Sequence, residues 1–162
     1  MPEDIGAISL VKAEPRFHAR LSCKEKTYVY RIWNSDVPNV FERKYMYAYP
    51  EKLDTDEMIK AAKLFIGKHD FSAFSSVKNS KKSTVRTIYD INIHKDGSKL
   101  MICLTGDGFL YNMVRIITGT LLEIGAGKRK SDSITKALQS GDRADAGFTA
   151  PAKGLVLQKI KY

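Results

Sequence analysis

Arg115 lies in an apolar turn with the spacing of a helix, between Met113, Val114, Ile116 and Ile117. A guanidinium is always charged and fits a carboxylate through two parallel hydrogen bonds. Because a buried carboxylate keeps its charge only beside a cation, Arg115 is a candidate partner for a catalytic carboxylate. Two structural interpretations stay open: an ion pair with a local acid, or a surface arginine whose stem packs on apolar neighbours.

Basic side chains outnumber acidic ones, with 27 Lys and Arg against 18 Asp and Glu, a formal charge of +9. Such a balance favours a polyanionic partner, nucleic acid above all, although a solvated surface kept for solubility is equally compatible. Phosphate contacts of this kind give affinity without sequence preference. Three clusters are candidates for contacts with nucleic-acid phosphates: Arg16, Arg20, Lys24 and Lys26; Lys78, Lys81, Lys82 and Arg86; and Lys128, Arg129 and Lys130.

The two cysteines and three histidines are not spaced for a disulfide framework or a metal site. The sequence therefore predicts no metal site. No apolar stretch reaches the roughly 18 residues of a membrane span, and no signal-like start is present. We expect a cytoplasmic protein.

The elements that must position these residues divide into a strand-rich segment, 1–50, and an α+β core, 51–162, of a single domain. Alternating apolar residues predict strands in the first segment. They are Ile8 and Leu10; Phe17, Ala19 and Leu21; Tyr28, Tyr30 and Ile32; and Tyr45, Tyr47 and Tyr49.

The core has clear helix signals. Asp54 and Glu57 form a capping box for a helix with Met58, Ala62 and Phe65 inward, and Gly67 is placed as its stop. A hairpin turns at Asp96-Gly97, a second helix runs from Met113 to Ile124, a third is capped by Ser131 or Asp132 and stopped by Gly141, and a strand follows from Leu155. This order predicts an α+β fold, an antiparallel or mixed sheet with helices on one face.

Six strings resemble, in the same order, the C-terminal portion of the tRNA pseudouridine synthase A family. They are Phe17-His-Ala-Arg20, Lys26-Thr-Tyr-Val-Tyr30, Gly67-Lys-His-Asp-Phe-Ser72, Val85-Arg-Thr-Ile88, Gly108-Phe-Leu-Tyr-Asn-Met-Val-Arg115 and Thr149-Ala-Pro-Ala-Lys-Gly-Leu155. Each string alone is a weak signal, but together they span essentially the whole chain.

The resemblance implies isomerisation of uridine to pseudouridine in the anticodon stem-loop of tRNA, without cofactor, by a homodimer. It assigns Arg115 as the partner of the catalytic aspartate and Tyr28 as the active-site tyrosine, whose ring can face a flipped uracil. Phe109 and Leu110 resemble the apolar wall of that pocket, although core packing explains them equally well. Core packing is the main interpretation for Tyr30. Arg20, Lys26, Lys78, Lys81, Lys82 and Arg86 are the expected RNA-binding residues.

The family's catalytic motif, Arg-Thr-Asp-x-Gly-Val-His-Ala, has no counterpart ahead of these strings. The chain alone is therefore expected to be inactive. Arg143-Ala-Asp-Ala-Gly-Phe-Thr-Ala150 is similar in outline to that motif, but its place before Pro151 agrees with the family's own C-terminal stretch. Asp145 is therefore interpreted as an ordinary loop or helix-end residue.

Two other classes remain. A free-standing RNA-binding module agrees with the composition, but it would not need an arginine embedded in an apolar helix. A basic structural protein of a ribosome-like assembly would have disordered basic tails, whereas both ends of this chain have strand-like patterns.

Overall fold

A computed structural model describes residues 1–77 and 83–162. The strands are β1 (Glu25–Trp33), β2 (Tyr47–Ala48), β3 (Gly67–Asp70), β4 (Val85–Asp96), β5 (Lys99–Gly106) and β6 (Leu155–Lys161). The α-helices are α1 (Thr55–Ala62), α2 (Met113–Gly125) and α3 (Asp132–Ser140). Short 3₁₀ turns lie at Lys63–Phe65, Ser72–Phe74, Arg143–Asp145 and Ala152–Gly154.

The strands form one mixed sheet in the order β2-β1-β5-β4-β3. β1 pairs with three strands: it lies antiparallel to β5 along one edge, and its other edge is shared by β6, which is antiparallel, and the short parallel strand β2. The β4–β5 hairpin turns at Gly97, whose φ of 55° suits glycine. The predicted α+β class, with a mixed sheet, is confirmed.

The helices cover one face of this sheet. Apolar residues that alternate along β1 and β5 are fully buried against them, and the opposite face is less covered. The period of two in strands places every second side chain on the same face. The fully buried sheet residues on the helix side are Tyr30, Ile32, Ile88, Leu100, Ile102 and Leu104, and Ile93, opposite Ile102, is 9% exposed.

α1 begins where its cap was predicted, because Asp54 Oδ1 accepts a hydrogen bond from Glu57 N at 3.0 Å. The reciprocal half of the capping box is missing: Asp54 N donates to Gly125 O at 2.8 Å, and Glu57 pairs with Lys60 at 2.7 Å. The predicted inward residues of α1 and the turn after it are buried. Gly67, predicted as the helix stop, has φ 113° and instead begins β3.

The strands predicted between Ile8 and Leu21 are wrong, since no strand begins before Glu25 in the described part of the chain. Ile8 and Leu10 are 101% and 98% exposed. Alternation indicates a strand only if one face packs on a partner, and these side chains have none among the described residues. The Tyr45–Tyr49 strand is reduced to Tyr47–Ala48. The predicted second helix, third helix and last strand are confirmed.

Candidate active site

A cavity of about 450 Å³ opens where the N-terminal end of α2 meets β1 and the segment before β6. All four residues selected from the sequence for the pocket line it together with Arg20, although they come from distant parts of the chain. The lining consists of Arg20, Tyr28, Phe109, Leu110, Tyr111, Asn112, Met113, Val114, Arg115, Ala152 and Leu155. The walls are largely apolar, which is typical of a site that excludes water around a small ligand.

Tyr28 forms one wall from the middle of β1. Its ring meets Phe109 edge to face, with ring centroids 5.3 Å apart and an interplanar angle of 84°. Burial raises the pKa of the Tyr28 hydroxyl, with a smaller contribution from Cys23. The hydroxyl therefore stays protonated at neutral pH, and the half-buried ring leaves surface for a flat ligand.

Phe109 and Leu110 occupy the bend between β5 and α2. Both are half-buried: they pack against the core and also line the cavity. The bend lies close to the sheet, because a Cβ on Gly106 would meet Thr87 O at 2.6 Å and Phe109 at 3.5 Å. Both residues therefore pack against the core and line the cavity, and their part in a substrate pocket stays a prediction.

Arg115 projects from the first turn of α2 and is held on two sides. Its Nε donates to Ala150 O at 2.6 Å, and its Nη1 donates to Asn112 Oδ1 at 2.8 Å. Among the described residues Nη2 has no hydrogen-bond partner, and no carboxylate lies within ion-pair distance of the guanidinium. The interpretation of Arg115 as half of a local ion pair is thus not supported, and its charge is available to a group that enters the cavity.

Tyr30, two residues from Tyr28, is fully buried and takes no part in the cavity lining. Its hydroxyl donates to Pro151 O at 2.5 Å. Burial is the main cause that raises its pKa, Tyr47 adds to this, and the positive charge of Arg115 opposes it. Tyr30 is therefore a core residue that anchors the segment on which Arg115 depends.

That segment, residues 142–151, is fastened along α2. Gly147 N donates to Thr120 Oγ1 at 2.9 Å and Phe148 N to Glu123 Oε1 at 3.3 Å. Arg129 donates to Glu123 Oε2 at 2.6 Å and to the carbonyl of Asp145 at 2.7 Å. Two main chains approach so closely here that only glycine fits on α2 at Gly119, where a Cβ would lie 1.9 Å from Phe148 O.

Asp145 lies outside the cavity. Its carboxylate accepts hydrogen bonds from Lys136 Nζ at 2.5 Å and Ser140 Oγ at 2.7 Å. These two partners lower its pKa. Asp145 thus lies in the turn after α3, with its carboxylate bound to two side chains of that helix. This geometry agrees with the prediction of an ordinary structural residue and not of a nucleophile facing Arg115.

The structure describes three of the six expected RNA-binding residues. Arg20 lines the cavity from the irregular N-terminal segment. Lys26 lies at the beginning of β1 in register with Gly106, and the Arg86 side chain would be 3.5 Å from a Cβ on Gly108. Both therefore border the bend that carries Phe109. Lys78, Lys81 and Lys82 lie outside the described residues.

Among the features that were not predicted for the site, three bear on its chemistry: Leu155 in the wall, the Ala150 carbonyl, and Asn112 beside Arg115. Asn112 and Leu155 stand inside two of the strings that carry the resemblance, so those strings contained a signal for them. Every residue has a main-chain carbonyl, so the residue type at position 150 could not indicate that its carbonyl binds Arg115.

Comparison with known proteins gives one consistent result. A family model described as tRNA pseudouridine synthase matches residues 61–162. Over all 162 residues the chain is 45% identical to tRNA pseudouridine synthase A of Bacillus sp. (strain KSM-64) and 47% identical to tRNA pseudouridine synthase A 2 of Clostridium tetani. It covers 66% and 65% of those relatives, respectively, so it spans about two thirds of their length.

Among solved structures, a chain in the crystal structure of a Cbf5-Nop10-Gar1 complex matches 62% of this chain and 27% of its own length. The TM-score is 0.35 and the sequence identity 18%, too low to support an argument. In the described residues, no helix is both long enough and apolar enough to cross a membrane.

Proposed function

This chain belongs to the tRNA pseudouridine synthase family, and from that premise we propose that it supplies one side of an active site that isomerises uridine in tRNA. The observation that carries the proposal is the cavity in which Tyr28 and Arg115 face a common space. Arg115 has no carboxylate partner among the described residues. The substrate class comes from the family, and the geometry supports it.

Isomerisation breaks the bond between ribose C1′ and uracil N1, turns the base, and joins C1′ to C5. The proton on C5 is lost and N1 ends with one, so the reaction needs no oxidant or reductant. The base must leave the stack to reach such a pocket. The Tyr28 face and the apolar walls from Phe109, Leu110 and Leu155 suit a flat, uncharged base that must turn between two bonding positions.

A carboxylate must act as the nucleophile at C1′ or as a base, and it works only when ionised. We propose that Arg115 keeps that carboxylate charged, because an adjacent guanidinium favours the ionised form. The 162 residues contain no match to the family's Arg-Thr-Asp-x-Gly-Val-His-Ala motif. The carboxylate is therefore proposed to come from outside these residues, and the chain by itself to be inactive.

The substrate is proposed to be a uridine of the anticodon stem-loop, held by a homodimer whose cleft is shared between subunits. Both points rest on the family resemblance. The contribution of this chain to affinity is electrostatic: Arg20, Lys26 and Arg86 border the cavity and the bend beside it, and the 78–82 segment adds three lysines to the sequence.

The test is pseudouridine formation in tRNA, measured by nucleoside mass spectrometry. Three proteins are compared: this chain alone, the Bacillus sp. relative, and a hybrid in which this chain replaces the matching residues of that relative. We expect no product from the chain, and product from the hybrid that is lost in Arg115→Ala but kept in Arg43→Ala, a control at an exposed arginine that does not line the cavity. Product from the chain alone, lost in Asp145→Ala, would overturn the placement of the nucleophile.

The same proteins separate catalysis from simple RNA binding. A hybrid that binds tRNA as tightly as the relative but forms no product would favour a binding module and contradict the proposed isomerase. Binding is measured by filter retention at several salt concentrations, because an affinity quoted at one salt concentration cannot be interpreted.

A further inference from the structure

Asn112 has an unusual main-chain conformation at the residue immediately before α2. Its φ is 63° and its ψ 4°, in the left-handed region, a conformation that only Arg16 shares among the described non-glycine residues. Its side chain does not cap the helix, although asparagine is among the best capping residues. A strained conformation is retained where the surrounding structure requires it, and such residues concentrate at functional sites.

The Asn112 amide is occupied by two partners on opposite sides. Oδ1 accepts from Arg115 Nη1 at 2.8 Å, and Nδ2 donates to Ser76 Oγ at 3.0 Å. A guanidinium can only donate, so the atom that faces Arg115 must be the amide oxygen. This fixes the amide orientation and leaves its NH₂ group for the Ser76 hydroxyl, while Ser76 N is itself bound to Tyr111 O at 3.2 Å.

The geometry at Arg115 explains what this amide does. The Nε bond to Ala150 O holds one atom of a planar group, and a plane held at one atom can still swing about that bond. The second bond, at Nη1, fixes the plane. Nη2 is then left without a partner among the described residues. Arg115 is the arginine that lines the cavity from α2.

We propose that Asn112 is the positioning residue for Arg115: its left-handed main chain places the amide where it fixes the guanidinium plane, with Nη2 free to meet a carboxylate. The catalytic consequence of this inference rests on the proposed function. The claim that the Asn112 amide fixes the guanidinium plane is independent of that function. The rival explanation is purely conformational. On that view asparagine is present only because few residues adopt a left-handed φ, and glycine would serve as well.

Asn112→Gly separates the two explanations, because glycine adopts the left-handed main chain without strain but has no amide. Asn112→Asp is the matched variant that keeps an acceptor in the same place. Its charge would pair with Arg115 in place of the incoming carboxylate. Neither change touches the apolar core, and thermal unfolding of each variant verifies that the fold is kept.

The first readout uses the chain as it stands and needs no activity: ¹⁵N–¹H spectra of arginine side chains, with Arg115 assigned through its loss in Arg115→Lys. Restricted rotation of a fixed guanidinium gives resolved Nη signals. We expect resolved Arg115 signals in the parent and in Asn112→Asp, and one averaged signal in Asn112→Gly. Resolved signals that persist in Asn112→Gly would overturn the proposal, as would averaged signals in the parent.

The second readout is turnover in the hybrid enzyme. We expect Asn112→Gly to lower kcat about 10- to 100-fold with a smaller change in KM, since misplacement by about 1 Å can cost 10²-fold. Asn112→Asp should be impaired further and recover partly at lower pH, where the new carboxyl is protonated. Equal kcat in parent and Asn112→Gly would overturn the catalytic consequence. An inactive parent hybrid counts against the proposed function, and the spectra still decide the positioning.

Discussion

Arg115 and Ala150 hold each other through two hydrogen bonds of opposite direction. Arg115 Nε donates to Ala150 O at 2.6 Å, and Ala150 N donates to Arg115 O at 3.1 Å. Side chain and main chain of the same arginine are thus tied to one residue of the segment before β6. The orientation of the guanidinium therefore depends on that segment as much as on α2.

Arg115→Lys tests whether charge alone is enough. Lysine keeps the positive charge, but its ammonium cannot reproduce the fork that reaches Ala150 O and Asn112 Oδ1 together. We expect turnover by the hybrid enzyme to fall at least about 100-fold, or about 2.7 kcal/mol of transition-state stabilisation. Affinity for tRNA should change by less than about threefold, since each phosphate contact needs only a charge. Turnover within threefold of the parent would contradict the positional role.

Arg129→Ala tests the pair that fastens the segment. Glu123 and Arg129 are each 22% exposed, and Arg129 also donates to the carbonyls of Asp145 and Ala146. Removing Arg129 leaves the largely desolvated Glu123 carboxylate without its cation and the carbonyl of Asp145 without its donor, whereas the carbonyl of Ala146 keeps Arg143 Nη1 at 3.5 Å. The free energy of unfolding should fall by about 2–4 kcal/mol in urea denaturation.

The control for that change is Lys60→Ala, in the ion pair Glu57–Lys60, whose side chains are 47% and 68% exposed. An exposed pair contributes little, so the expected loss is much smaller than in Arg129→Ala. Equal losses in the two variants would mean that burial of the Glu123–Arg129 pair has no effect on stability.

Gly119→Ala tests the close approach of two main chains. The added methyl group would lie 1.9 Å from Phe148 O, and neither main chain can move aside cheaply. We expect a loss of more than about 4 kcal/mol, or failure to fold, as seen for few single substitutions. Gly127→Ala is the comparison: φ is 71° but no atom lies within 4 Å, so only the cost of the left-handed conformation, about 1–2 kcal/mol, is expected. A smaller loss in Gly119→Ala than in Gly127→Ala would contradict the packing.

Tyr30→Phe should lower stability and alter its pH dependence. At neutral pH, Pro151 O loses its donor, which should cost about 1–2 kcal/mol. Because the pKa of Tyr30 is raised in the folded protein, the folded state holds this proton more tightly than the unfolded state. The resulting stabilisation is complete below about pH 10, the ordinary tyrosine pKa, and is lost as pH rises toward the folded pKa.

The check is denaturant unfolding of the parent and Tyr30→Phe at intervals from pH 7 to about pH 11. Both proteins contain the same lysines, so the effect of lysine titration cancels when their free energies of unfolding are subtracted. The gap should narrow above about pH 10. Tyr111→Phe is the control, because its side chain is 67% exposed and should change stability by less than about 0.5 kcal/mol. A difference in free energy of unfolding that grows with pH would contradict a raised Tyr30 pKa in the folded protein.

Replacing Lys78, Lys81 and Lys82 by glutamine tests the proposed phosphate contacts. If all three neutralise phosphates, the slope of log affinity against log salt should become shallower by about 2–3. Glutamine at Lys60, Lys63 and Lys136, none of which lines the cavity, should leave the slope nearly unchanged. An equal reduction in both triple variants would indicate general attraction to a positive surface instead of a defined contact.

The sequence by itself determined the elements that depend on near neighbours. The Asp54 cap, the turn at Gly97 and the stop at Gly141 all lie where residue type predicts them, because capping and turn geometry are decided within a few residues. The α+β class followed from the order of these elements. Arg115 and Tyr28 were identified because chemistry and family strings are both readable along the chain.

Only the tertiary structure decided what requires a distant partner. Alternation around Ile8 and Leu10 predicted a strand, but a strand needs a neighbour to bond and a face to bury, and the described residues offer them neither. Tyr28 and Arg115 line the same cavity only because β1, α2 and the segment before β6 pack together. The carbonyl of Ala150 and the left-handed turn of Asn112 belong to the main chain, whose geometry is fixed only once the fold is complete.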